Sequence, residues 1–104
     1  LVVAAVDFAH VGPRFGGAEP VNEILLTQVE VSDRALLASL CQGDADGFYR
    51  RLGLHSNKYG VCGYAAMYTL VAAIPDLEGV VLHYGQAVAP DRSQTVTFSA
   101  VAFK

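Results

Sequence analysis

The chain has 104 residues, a formal net charge of −3 and only two cysteines, Cys41 and Cys62. That length holds at most one domain, and its scattered Lys and Arg form no basic stripe, which argues against a nucleic-acid partner. Apolar residues make up 53% and charged residues 16%, against roughly 45–50% and about 25% in ordinary domains. The chain is rich in core material and short of surface, as in a homo-oligomer subunit or in part of a larger domain.

The first stretch, "LVVAAVDF", is an apolar run with the look of a strand buried on both faces, and the expectation for Leu1–Val6 is a parallel strand within a sheet. It starts with no basic leader or cleavage site, so the expectation is that residues preceding Leu1 belong to the same fold. Gly12-Pro13, Gly16-Gly17 and Pro20 set a loop after it. Between Val21 and Leu40, Ile24, Leu25, Val29, Leu36, Leu37 and Leu40 have helical spacing. Two pieces are expected there, the second capped by Ser32 or Asp33. Asp44 caps a short helix, "ADGFYRRLG", and the polar loop "LHSNKYGVCG" follows.

Tyr64–Ile74 is apolar nearly all round and reads as a buried helix. At well under the roughly 20 residues of a membrane span, it implies no membrane partner. "GVVLHYGQAV" and "QTVTFSAVAFK", joined by the turn-forming "APDRSQ", read as a hairpin. The fold class is α/β: a mixed sheet flanked by helices. In such sheets, sites gather at the carboxyl ends of strands.

Asp7 and His10 stand at such a strand end. A carboxylate there could orient the imidazole, bind metal or move protons. It could equally cap the loop, with His10 bonded to a backbone carbonyl. Cys62, in "YGVCGYAAM", precedes a helix whose dipole and N–H groups favour thiolate, so it is a candidate nucleophile or metal ligand, or else a small side chain at a tight helix entry. Cys41 reads as packing, His55 as a solvated loop residue and His83 as a hydrogen-bonded strand residue. Arg14 is a candidate anion contact or salt-bridge partner, and Tyr84 and Gln86 candidate pocket walls. Gly16-Gly17 lacks the surroundings of a phosphate loop. Two cysteines without a secretion signal read as reduced thiols, which points to the cytoplasm.

Three blocks in order resemble the Memo-like proteins, whose microbial members are called AmmeMemoRadiSam system protein B. They are "VDFAHVGPRFG", the Cys62-Gly63 pair opening a helix in "GVCGYAAMYTL", and "LHYGQAVAPDRSQTVTFSAVAF". The resemblance implies a fold similar to class III extradiol dioxygenases of the LigB type. In it, residues 1–104 would form the C-terminal half of a single domain about twice as long. It also implies Cys62 as metal ligand, with Asp7 and His10 lining the same pocket as its catalytic groups, and copper, iron or zinc as the metal. Histidines of the absent N-terminal half, itself the expected partner, would complete the site. The competing expectation is a non-catalytic module that takes a peptide or small molecule in the same cleft.

Overall fold

The structure, a computed structural model, describes residues 2–17, 20–53, 59–61, 63–74 and 76–104. Strand β1 (Val2–Val11) leads through a 3-10 turn (Pro13–Phe15) to helix α1 (Glu23–Cys41), followed by α2 (Ala45–Gly53) and α3 (Tyr64–Ala73). The hairpin β2 (Gly79–Val88) and β3 (Thr95–Phe103) closes the order. The α/β class and the hairpin are as the sequence implies.

The direction of β1 is a correction. It pairs antiparallel with β3, and the sheet order is β1-β3-β2 with both pairings antiparallel. An unbroken apolar run suggested a strand between parallel neighbours. Here β1 lies at one margin of the sheet, and Val2 and Val3 are exposed. The hairpin brings β3 into the centre.

Helix α1 is also a correction, since it is one continuous helix and not two pieces. Asn22 caps it, its side-chain oxygen accepting from the Leu25 N–H at 2.8 Å. Asp33, expected to start a second piece, lies within the helix with its side chain fully buried. Loss of the Asn22 cap in Asn22→Ala is expected to cost about 1 kcal/mol. It would appear as a lower urea midpoint with an unchanged slope.

The core lies between the helices and one face of the sheet. Phe8, Leu36, Leu37, Leu40, Phe48 and Phe103 are its main members. On β3 the inward residues are Thr95, Thr97, Ser99, Val101 and Phe103, all buried. The hydroxyls are accommodated because two of them have partners: Thr97 Oγ1 accepts from Ala9 N–H, and Thr95 Oγ1 donates to the Ala87 carbonyl. The outer face of the sheet carries Val3 and Val80, 56% and 67% exposed. Helix α3 buries only Met67 and Val71, which corrects the expectation of a buried helix. Its buried side joins the core cluster with α1, α2 and the inner face of the sheet, and Tyr64 and Ile74 remain exposed.

Candidate functional site

The carboxyl half of β1 departs from simple alternation. Phe8 and Ala9 are consecutive and both fully buried, and the register against β3 shifts between Asp7 and His10. Asp7 pairs with Phe98 and His10 with Val96. Residues three apart on a regular strand face opposite sides. The bulge adds one residue, so Asp7 and His10 share the outer face, as Phe98 and Val96 do. The amide this frees, Ala9 N–H, is taken up by Thr97 Oγ1 at 2.9 Å.

Beyond β1, Tyr59, Gly60 and Gly63 run against the bulge. His10 N–H donates to the Tyr59 carbonyl at 2.8 Å, and Gly63 N–H donates to the Asp7 carbonyl at 3.2 Å. Gly63 is glycine for a steric reason: a Cβ there would stand 2.7 Å from the Asp7 carbonyl oxygen. Cys62 and His55 lie outside the described residues.

His10 is half-buried, with Nδ1 at 3.1 Å from the Phe8 carbonyl and 3.2 Å from the Gly60 carbonyl. Carbonyls only accept, so Nδ1 carries the proton and the lone pair of the neutral ring is on Nε2. A backbone carbonyl fixing one imidazole nitrogen is the usual way a base or metal-ligand histidine is oriented through the other. The ring also stands edge-on to Phe15, centroids 5.4 Å apart.

A cavity of about 510 Å³ opens beside His10. Phe15, Asn22, Leu25, Gln28 and Tyr59 are among its other walls. Asp7 shares the sheet face with His10 but is exposed and not part of this lining. Gly12 shapes the floor: its φ is +113°, and a Cβ would lie 2.7 Å from the Ser93 carbonyl oxygen. Among the described residues, no three His, Cys, Asp or Glu gather as a metal-binding group. None of the described helices is long and apolar enough to cross a membrane.

Other candidates fall elsewhere. Tyr84 and Gln86 do not line the cavity; they point into the core, Tyr84 donating to Asp33 Oδ2 at 2.6 Å and Gln86 to the Leu26 carbonyl at 3.1 Å. His83 is exposed and stacks on Phe98; the expected hydrogen bond is replaced by a ring contact. Cys41 packs against the core as expected, and burial pushes its thiol pKa up, away from nucleophilic use. The exposed Arg14 helps, behind the two Ser93 hydrogen bonds, to hold the Asp91 carboxyl below its usual range.

Sequence reasoning missed Asp33 and Tyr59. Asp33 follows Leu26 and Val29 by seven and four residues and precedes Leu36 and Leu37 by three and four, which places a carboxylate on the apolar stripe of α1. That spacing was the available signal. Tyr59 gave none, because its place depends on a long-range contact, the His10 N–H donating to its carbonyl.

Comparison with known proteins agrees with the arrangement of motifs. The model of the family described as "Memo-like protein" matches residues 1–102. A MEMO1 family protein of Thermus thermophilus is 32% identical over 82 residues, covering 79% of this chain. The chain spans only 24% of that relative's length. With nearly every residue inside the family match, this chain belongs to the Memo-like family.

Proposed function

We propose that this chain supplies one side of a metal site, with Cys62 as thiolate ligand and His10 and Asp7 as its proton-handling groups. The observation that carries this reading is the β1 bulge. It turns Asp7 and His10 to one face, with the His10 ring oriented by two carbonyls at Nδ1. Gly60 and Gly63, which bracket Cys62 in sequence, bond directly to His10 and Asp7.

Sulfur and imidazole donors suit copper, iron or zinc. Such an ion, when bound, would supply Lewis-acid or redox chemistry to a ligand in the cleft. His10 would then accept or return a proton at Nε2, Asp7 would hold negative charge at the rim, and Phe15 and Tyr59 would exclude water from one side. Histidines from a preceding N-terminal half would complete the ligand set, in a fold similar to the class III extradiol dioxygenases. A reducing, cytoplasmic setting would keep Cys62 a thiol. The apolar share of the cavity wall favours the second reading, a cleft that takes a peptide or small molecule without chemistry.

Metal content by mass spectrometry tests the first reading, on this chain and on a chain extended upstream. The extended protein is expected to carry metal, and Cys62→Ser in it to lower occupancy at least tenfold. Occupancy unchanged by that substitution would overturn the metal site. Absence of metal from both chains would favour the binding cleft.

A further inference from the structure

Asp33 is a charged residue type placed where water does not reach: it is fully buried on α1, its Oδ2 accepts from Tyr84 and its Oδ1 has no hydrogen-bond partner among the described residues. A carboxylate with one oxygen unpaired in the core is costly, and a neutral carboxyl much less so. Tyr84 is joined in turn to Gln86 at 3.2 Å, and Gln86 donates to the Leu26 carbonyl. The chain of contacts therefore starts in the middle of α1, crosses to β2 and returns to the first turns of α1. Those first turns bear Asn22, Leu25 and Gln28, which wall the cavity beside His10.

We propose that Asp33, Tyr84, Gln86 and the Leu26 carbonyl form a proton-dependent latch that sets how α1, one wall of the cleft, sits on the sheet. The proposal rests on the reading that this cleft is the working site. With its proton, Asp33 is neutral, accepts from Tyr84 and holds the helix down. Without it, a buried charge presses for water, and relief comes by lifting α1.

Among the described residues, the charged and ionisable groups facing Asp33 are few. From α1 they are Glu30 and Arg34, paired with each other at 2.8 Å, with Arg34 also lying over the Tyr84 ring at 4.9 Å. From β2 there is Tyr84, and β3 contributes the neutral Thr97. Burial raises the Asp33 pKa, the neighbouring Thr97 and Tyr84 hydroxyls lower it in part, and the Glu30 charge raises it again. A folded-state pKa above the unfolded value fixes the sign. The latch contributes its full stability below the ordinary carboxyl range, and loses it as pH rises through the folded pKa.

NMR titration of the 104-residue chain tests this. The Asp33 carboxyl carbon is expected to titrate above the ordinary carboxyl range. The Leu25 and Gln28 amide signals should follow the same midpoint. In Asp33→Asn, a neutral isostere, that response should vanish while the remaining amide pattern is kept. In Tyr84→Phe, Asp33 should still titrate but Leu25 and Gln28 should no longer follow. An Asp33 midpoint at or below the ordinary value would overturn the latch, as would Leu25 and Gln28 responses that persist in Asp33→Asn. Metal occupancy is read separately, so failure of the metal site and failure of the latch are told apart.

Discussion

Phe8→Ala is expected to produce the largest loss of stability of any single truncation in β1, about 3–5 kcal/mol. Phe8 is fully buried and belongs to the cluster that joins β1 to α1, α2, α3 and β3. A domain of this size has roughly 5–15 kcal/mol to lose, so the variant should unfold at a much lower urea concentration. Phe15→Ala is the comparison, because Phe15 is 45% exposed and its ring meets His10 rather than the core. Its urea midpoint should barely move. Equal midpoints for the two variants would refute the placement of Phe8, and with it the bulge that turns Phe8 and Ala9 inward together.

The two aromatic residues show how differently the sequence speaks about fold and about site. Helical spacing through α1, the Pro-Asp turn and the β2–β3 run are short-range signals, and each element formed where they point. The direction of β1 is not a short-range property. "LVVAAVDF" suits a parallel or an antiparallel neighbour equally, and the choice depends on β3, some ninety residues later. Asp33 misled for a related reason: Ser-Asp is a fair helix start locally, yet its carboxyl accepts from Tyr84, 51 residues away, rather than from the backbone of a new first turn.

The pair Asp7 and His10 was visible as chemistry but not as geometry. Regular alternation would put them on opposite faces. The break lies in two adjacent apolar residues, Phe8 and Ala9, and only the pairing with β3 shows that both go inward. Tyr84 and Gln86 went the other way. Their polar ends suggested a pocket wall, but they satisfy a buried carboxylate and a helix carbonyl instead. A polar side chain on a strand has the same appearance in the sequence whether its partner is a ligand or the core.

Thr97→Val tests whether the bulge is what aims His10. The substitution keeps shape and removes the oxygen that accepts from Ala9 N–H, a buried contact with no water to replace it. An orphaned buried donor costs about 1–3 kcal/mol. Two outcomes then separate stability from site. If the bulge depends on this hydroxyl, the Ala9 amide should exchange faster and the His10 ring signals should shift, because Nδ1 loses its fixed distance to the Phe8 carbonyl. If stability falls while the His10 signals stay as they were, the bulge is held by Phe8 and by the Tyr59 and Gly63 contacts instead. Thr95→Val is the internal control: it removes a hydroxyl from the same face of β3, but that hydroxyl donates to Ala87 on the far side of the sheet from β1. His10 should not register its loss. A His10 response to both variants alike would mean that β3 as a whole, rather than one hydroxyl, positions the imidazole.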